Sequence, residues 1–213
     1  MPLYTTDALI LRTYKLGESD RLVVFLTRDR GKKRGVAKNA RQSRRRFGGA
    51  LEPMTSARVG YFERERRDLV RVDFVEALRS PLAAAGGEAL GHVGYFAELI
   101  DEWAQEADPS ETMFRLGASM VDAIVAGVPI DPLARYFEYW LLRLQGVYED
   151  DARLSSGAKA FLASARELSP LGIGRVAVSA RTLGELETVH RALITMHLEK
   201  DLKSTRVLRD MQR

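Results

Sequence analysis

The chain has 213 residues, of which 46% are hydrophobic and 29% are charged, with only 7 prolines. This composition is that of a globular protein of one or two modest domains and excludes wholesale disorder. The sequence contains no cysteine, which excludes disulfides, thiolate metal sites and cysteine nucleophiles and fits a reducing cytoplasm. No basic segment precedes the first apolar stretch, and no apolar run approaches the roughly 20 residues that span a bilayer. We therefore expect a soluble, cytoplasmic protein.

The net charge of +4 is distributed unevenly along the chain. Residues 1–80 contain 19 Lys and Arg against 10 Asp and Glu, whereas residues 81–213 contain 14 against 19. The stretch RDRGKKRGVAKNARQSRRRFGG (28–49), hereafter the basic run, has 10 Lys or Arg among its 22 residues. Such asymmetry indicates that the first part of the chain meets an anionic partner.

Residues 1–80 have the pattern of short strands separated by turns. Val36–Ala37 fits a short strand within the basic run, which glycines divide as turns would. The charged sequence ERERR (63–67) predicts a hairpin tip. Together these segments predict a five-stranded OB-type barrel with one long basic loop. The other predicted strands cover 7–14, 21–27, 51–62 and 68–77.

From Pro81 the apolar period changes to the three- and four-residue spacing of helices. Ser110 is a cap-type residue at the start of one helix, and Gly127 and Gly146 mark the ends of two. The form of the connector at 168–180 stays open. The fold class is α+β, with the barrel in residues 1–80 and an all-helical domain in 81–213. The predicted helices cover 86–106, 108–127, 131–146 and 179–200.

No pattern of catalytic or metal-binding residues is present. There is no G-x-S-x-G, and the glycines of GIG (172–174) lack the strand–helix unit of a phosphate loop. His190 and His197 share a predicted helix face but lack the spacing and acidic neighbours of a metal pair. We therefore expect neither an enzyme nor a cofactor. The remaining candidates are assigned to structure: Asp101, Glu102 and Glu149–Asp151 to a solvated helix end and a loop, and Phe137, Tyr139 and Trp140 to helix packing, with a partner groove as the alternative.

The basic run has three possible interpretations: a solvated charged loop, a targeting signal, or a folded loop that binds a polyanion. Its position between predicted strands excludes the targeting signal. Phe47, Tyr61 and Phe62 are either base-stacking aromatics or core residues. A barrel with a basic loop and basic strand faces is typical of a groove for single-stranded nucleic acid. Further basic residues follow on the next strands and the hairpin tip: Arg58, Arg64, Arg66, Arg67 and Arg71.

Three segments resemble the RecO family of bacterial recombinational DNA-repair proteins. They are TTDALILRTYKLGESDRLVVFLTRDRGKKRGVAKNARQSRRRFGGALEP, PLARYFEYWLLRLQG and the C-terminal HLEKDLKSTRV. The resemblance implies an OB-fold and a helical domain that bind single- and double-stranded DNA, anneal strands coated by single-strand-binding protein, and load RecA together with RecR. It also implies that the helical domain docks the acidic, apolar tail of single-strand-binding protein.

The resemblance implies particular DNA-contacting residues, to which we add Arg71 from the neighbouring strand. One departure is clear, since many family members carry a four-cysteine zinc element that is expected here near 147–155 and is absent. We thus expect a non-enzymatic mediator of recombinational repair at the nucleoid; the alternative is a helical adaptor whose basic loop docks an acidic protein. The implied DNA-contacting residues are Lys32, Lys33, Arg34, Lys38, Arg41, Arg44, Arg45 and Arg46, with Lys203 and Arg206 as a second patch.

Overall fold

The structure, a computed structural model, describes residues 2–64, 68–84, 86–148, 153–200 and 202–211. Five strands form a closed barrel in the order β1-β2-β3-β5-β4. β3 and β5 run parallel, and the other neighbouring strands are antiparallel. The predicted five-stranded barrel followed by helices is confirmed. The strands are β1 (Leu3–Leu16), β2 (Asp20–Thr27), β3 (Lys32–Ala37), β4 (Ser56–Phe62) and β5 (Leu69–Arg79).

β1 is much longer than the predicted strand at 7–14 because it has two partners. Its first part pairs with β4, from Leu3↔Phe62 to Leu9↔Ser56, and its second part pairs with β2 up to Leu16↔Asp20. A closed barrel requires every strand to have a neighbour on both sides. The predicted hairpin tip at 63–67 lies partly outside the described residues.

Both faces of β1 and β2 are apolar, for different reasons. One face fills the barrel, where residues such as Ile10, Phe25 and Tyr61 are fully buried. The opposite face packs into the core of the helical domain, which explains why these two strands read as nearly continuous apolar runs. The barrel residues on that outer face are Leu9, Leu11, Val24 and Leu26.

The second part of the chain is helical, and the predicted start of one helix and the predicted ends of two are confirmed. Ser110 accepts a hydrogen bond from the Met113 N–H, and Gly127 and Gly146 take left-handed φ values of 75° and 68°. Within the described ranges, no helix is both long and apolar enough to cross a membrane. After a short helix in the basic run, α1 (Arg44–Phe47), and a 3₁₀ turn at Pro81–Ala83, the helices are α2 (Gly87–Trp103), α3 (Glu111–Val125), α4 (Ile130–Leu144), α5 (Ser156–Glu167), α6 (Pro170–Ile173), α7 (Ala180–Leu198) and α8 (Lys203–Met211).

α2, α3, α4 and α7 correspond to the predicted helices, whereas α5, α6 and α8 are additional. The buried face of α5 includes Ala158 and Ala165, whose small side chains give a weak apolar pattern. α6 is a single turn within the connector at 168–180, and α8 has only 9 residues. Short or alanine-rich helices carry too few large apolar residues to show a clear period.

Ion pairs between the barrel and the C-terminal half of α2 join the two parts of the molecule. Arg12 of β1 places Nε 2.7 Å from Asp101 Oδ2, and its Nη2 lies 3.5 Å from Glu98 and 3.4 Å from Glu102. Lys32 Nζ lies 3.2 Å from the same Asp101. Asp101 and Glu102 are therefore not a solvated helix end, and that prediction was wrong. The acidic residues face cations from β1 and β3: Arg12 is 90 residues from Glu102 in the sequence, and Lys32 is 69 residues from Asp101.

We expect Arg12→Ala to lower the free energy of unfolding by about 2 kcal/mol, because it leaves a partly buried group of carboxylates without its central cation. Urea denaturation of the full chain measures this loss. Arg79→Ala is the matched control, since Arg79 also reaches the helical domain, 2.7 Å from Asp122, but both side chains are about half exposed. Its loss should stay below about 1 kcal/mol. Equal losses for both variants would contradict the central role of Arg12.

Candidate nucleic-acid interface

The first part of the basic run is attached to the helical domain. The Lys32 N–H donates to the Gln105 carbonyl at 3.2 Å, and the Ala107 N–H donates to the Lys32 carbonyl at 3.2 Å. Gly31 has φ 67°, and a Cβ at this position would lie 2.4 Å from the Asp108 nitrogen. Only glycine permits this conformation and this close approach. Residues 28–34 are thus a structural joint between the barrel and the chain that follows α2.

The cations of this first part already have carboxylate partners. Lys32 and Lys33 are only 14% and 12% exposed, while Arg28 and Arg34 are about half exposed. Any phosphate at these positions competes with a carboxylate. The pairs are Lys32–Asp101 (3.2 Å), Lys33–Glu63 (2.8 Å), Arg34–Glu106 (3.3 Å) and Arg28–Glu111 (2.9 Å).

The second part of the basic run is a folded loop. Phe47 at the end of α1 is 1% exposed and belongs to the barrel core. The Asn39 N–H donates to Asp20 Oδ1 at 2.8 Å, and the Arg41 N–H donates to the Ser19 carbonyl at 3.1 Å. These bonds hold the loop against the β1–β2 turn. The loop at 38–49 is therefore anchored at both ends.

The cations on this loop are not matched by carboxylates. Lys38, Arg41 and Arg45 are exposed, and Arg46 is half-buried. Arg41 donates to the Glu18 carbonyl (2.9 Å), and Arg46 donates to Ser43 Oγ (3.1 Å) and to the Lys38 carbonyl (2.7 Å). Within the part of the chain that the structure describes, none of these four pairs with a carboxylate. The Arg44 side chain lies outside the described residues. We call Lys38, Arg41, Arg45 and Arg46 the loop cations.

Among the further predicted basic residues that the structure describes, Arg71 stands beside a partly exposed aromatic ring. Its guanidinium lies 4.4 Å from the centre of the Phe62 ring, and its side chain is exposed. Arg58 lies 3.8 Å from Asp7 on the neighbouring strand. Arg64 lies at the end of the described hairpin, and Arg66 and Arg67 lie outside the described residues.

The predicted second patch lies on the helical domain. Lys203 begins α8 and has an exposed side chain, while its N–H donates to Glu98 at 3.2 Å. The Ser204 N–H donates to the same carboxylate at 2.7 Å. An acidic group at a helix N-terminus is stabilising. α8 packs on α2, whereas the loop cations belong to the barrel. The Arg206 side chain lies outside the described residues.

The structure separates the candidate stacking aromatics. Phe47 and Tyr61 are core residues; Tyr61 packs between Tyr4 and Phe25 at 5.6 and 5.7 Å, and burial, together with nearby Glu63, raises its pKa to about 12. Phe62 points outward and is partly exposed. Of the three, only Phe62 is placed to meet a base.

The aromatics of α4 are packing residues, as predicted, because Phe137 and Tyr139 are fully buried. The Trp140 indole N–H donates to the Ala165 carbonyl at 2.9 Å, which ties α4 to α5. With Phe137 and Tyr139 in the core, their side chains do not line a partner groove.

His190 belongs to a buried charged network rather than to a metal pair. Its Nδ1 lies 3.0 Å from Glu138, which also accepts from Tyr95 at 2.8 Å and pairs with Arg135 at 3.0 Å. Burial works to raise the pKa of Glu138, but Arg135, His190 and Tyr95 outweigh it and hold that pKa below its ordinary value. His197 packs instead against Trp103, with ring centres 5.8 Å apart.

No group of three or more potential metal ligands comes together among the described residues. The zinc element of many RecO proteins needs four cysteines, and this sequence has none. The residues of this chain therefore do not fit that site. Residues 149–152, within its expected position, lie outside the described residues.

Two basic residues that the sequence analysis did not single out stand near the loop cations. Lys15 and Arg21 face each other across the β1–β2 hairpin, and Arg21 also pairs with Ala37 just before Lys38. Both are isolated cations close to Glu18 and Asp20 in sequence, so local charge concealed them. Only the strand register brings them to the end of the barrel where the loop lies.

A closed five-stranded barrel with an anchored basic loop, followed by a helical domain, defines the chain as an OB-type barrel protein. Residues 1–81 match the family description "Recombination protein O N terminal", and residues 85–150 match "Recombination protein O C terminal". The chain belongs to the RecO family.

Several relatives named "DNA repair protein RecO" are similar to this chain. The protein of Koribacter versatilis (strain Ellin345) is 45% identical over 152 residues, which cover 70% of this chain and 61% of the relative. That of Anaeromyxobacter sp. (strain K) is 42% identical over 142 residues, 65% of this chain and 55% of the relative. That of Geobacter metallireducens is 37% identical over 145 residues, 66% and 57%. The matched region thus spans a little over half the length of these relatives.

The lowered pKa of Glu138 predicts a specific loss of stability in acid. Its contribution is complete above the ordinary glutamate pKa of about 4.3 and disappears as the pH falls through the lower pKa of the folded state. We expect Glu138→Gln to be less stable than wild type at neutral pH by about 3 kcal/mol, because Arg135 loses its buried partner. Its unfolding free energy should also fall less steeply than that of wild type between about pH 5 and pH 3.

Urea denaturation across this pH range measures both effects. Glu76→Gln is the control, because it removes an exposed carboxylate and should keep the wild-type slope. A wild-type slope in Glu138→Gln would contradict the role of this carboxylate.

Proposed function

We propose that the chain is a DNA-binding mediator of recombinational repair that anneals complementary strands and is not an enzyme. The observation that carries the proposal is the set of loop cations, which stand on a folded loop without carboxylate partners among the described residues. Clustered basic side chains bind nucleic acid chiefly because each phosphate contact releases condensed counterions. A loop that is already folded also loses less conformational entropy on binding than a free tail.

Annealing by such a protein is a matter of charge neutralisation. Two complementary strands repel each other through their phosphates, and a basic surface lowers that repulsion while base pairing supplies the free energy. Phosphate contacts carry no base information, so the same surface accepts any pair of complementary strands. It also accepts single- and double-stranded DNA. No group on the protein needs to make or break a covalent bond.

The partners in this proposal come from the family. Relatives of this chain are named DNA repair proteins, which favours the repair role over a general acidic-protein adaptor. We propose that the chain acts at the nucleoid with RecR in loading RecA, on DNA coated by single-strand-binding protein, whose acidic tail docks on the helical domain.

The proposed function is tested by annealing of two complementary oligonucleotides that are both precoated with single-strand-binding protein. We expect the full chain to accelerate duplex formation, measured by fluorescence energy transfer between end labels. Mobility shift with single-stranded DNA, with heparin and an acidic protein as competitors, completes the test. If the acidic protein displaces the chain from DNA at low concentration and annealing is not accelerated, the adaptor function is favoured instead.

The contrast between paired and unpaired cations predicts which residues carry DNA affinity. We expect Arg45→Gln and Lys38→Gln each to weaken binding to all sequences alike, and charge reversal at Arg44–Arg46 to do so more strongly. Lys33→Gln is the matched control, because Lys33 already pairs with Glu63 at 2.8 Å and should cost less affinity.

Salt titration of binding to single-stranded DNA measures the number of phosphates engaged. If about six are engaged, log K against log salt should have a slope of about −4, and removal of one loop cation should make it less negative by about 0.7. A flat salt response, or a strong sequence preference, would contradict binding through phosphates.

A further inference from the structure

The strand register places one outward side chain from each strand in a single row across the barrel. Residues that face each other on neighbouring strands share one face of the sheet. In this row Tyr14 faces Leu22, Leu22 faces Val36, and Val36 faces Arg71 on the parallel partner strand. Arg71 then faces Phe62, and Phe62 faces Leu3 at the beginning of β1. We call Tyr14, Leu22, Val36, Arg71, Phe62 and Leu3 the outer row.

Apart from Arg71, the outer row is apolar, and its side chains are at least partly exposed to solvent. Tyr14 is 46% exposed and Leu3 is 51% exposed, and Leu22, Val36 and Phe62 are partly exposed. Their chain neighbours, such as Val23, fill the barrel instead. A contiguous apolar strip on a protein surface usually marks an interaction site.

Arg71 and Gly60 determine how two aromatic rings lie on this surface. The Arg71 guanidinium covers Phe62 at 4.4 Å and has no carboxylate partner among the described residues. Phe74 lies beside the row, across Gly60, where a Cβ would come within 2.2 Å of its ring. Glycine at this position lets the Phe74 ring lie flat on the barrel. At the other end, a groove of about 470 Å³ opens beside Tyr14, Leu22 and Val24.

Charge identifies the kind of molecule that fits this surface. Lys38 is the first residue after β3 and lies two residues beyond Val36, so the loop cations begin where the outer row crosses β3. Three carboxylates line the helical side of the groove, and each is paired with a cation. Asp101 and Glu102 pair with Arg12, Asp101 also pairs with Lys32, and Glu106 pairs with Arg34. An apolar row bordered by unpaired cations complements a polyanion that also carries flat apolar groups. Unstacked bases on a phosphate backbone have this combination.

We propose that the outer row is a stacking track for the bases of single-stranded DNA, while the loop cations hold its phosphates. The inference rests on the proposed function and assigns a site for the strand within it. Stacking on aromatic faces tolerates every base, so the track adds affinity without adding sequence preference. A duplex keeps its bases stacked and paired, so it contacts the loop cations but gains nothing from the track. The track therefore sets the preference of the protein for single strands.

The test compares three probes of equal length, about 16 nucleotides, on the full chain: an oligothymidylate, an abasic strand with the same phosphates, and a duplex. Tyr14→Ala should weaken binding to the oligothymidylate about tenfold and change binding to the other two by less than about twofold. Tyr14→Phe keeps the ring and should bind like wild type. Fluorescence anisotropy gives the affinities, and thermal unfolding verifies that the variants are folded.

Photocrosslinking of a strand that contains iodouridine gives a second measurement, which should yield crosslinks at Tyr14 or Phe62. The track is refuted if Tyr14→Ala weakens all three probes equally or none of them, or if crosslinks fall elsewhere. It is also refuted if Tyr14→Ala keeps the wild-type affinity for the oligothymidylate but loses affinity for an acidic peptide. Failure of the proposed function looks different, since wild type would then bind none of the three probes.

Discussion

The contact between Arg12 and the carboxylates of α2 determines how the barrel and the helical domain fit together. Glu98, Asp101 and Glu102 stand on one side of α2 near its C-terminus, where negative charges repel each other and are unfavourable to the helix dipole. The helix is stable there because β1 and β3 supply cations. Since Arg12 and Lys32 belong to a closed barrel, their positions fix the orientation of α2, and with it the helices that pack on α2.

The contact between the two domains divides the cations and the outer side chains of the barrel into two groups, those that meet the helical domain and those that do not. Cations that contact the helices, such as Lys32 and Arg34, already have carboxylate partners, whereas Lys38 and Arg45 have none among the described residues. Likewise, the helices cover the outer side chains of Leu9 and Leu26 but leave Tyr14 open. The accessible cations and the accessible apolar row are therefore the portions of the barrel that domain docking does not use. They lie next to each other because Val36 of the outer row is on β3 and the loop cations begin at Lys38, directly after that strand.

The sequence predicts those features that have a local cause. Alternation along Val70–Val72 and the glycine at 146 depend only on neighbouring residues, and the strands and four helices were accordingly predicted. The partner of Asp101 comes from strands far away in the sequence, so an acidic helix end was wrongly assigned to solvent. The outer row is equally invisible, because Leu22 and Val36 look like core residues until the register shows that they face outward. In the basic run, composition indicates a polyanion site but cannot separate the paired half from the unpaired half.

Strand annealing sets opposing requirements that this division of the surface meets, under the proposed function. The bases must be kept from pairing and stacking within their own strand, yet they must leave the protein to pair with the complementary strand. Deep pockets would hold each base too firmly, whereas rings such as Tyr14 and Phe62 at an open surface offer stacking alone, which base pairing in a duplex replaces. The loop cations can keep their phosphate contacts while the bases leave the outer row, because the product duplex carries the same phosphates. The free energy of base pairing thus removes the strand from the apolar row, while charge contacts keep the two strands together until the duplex has formed.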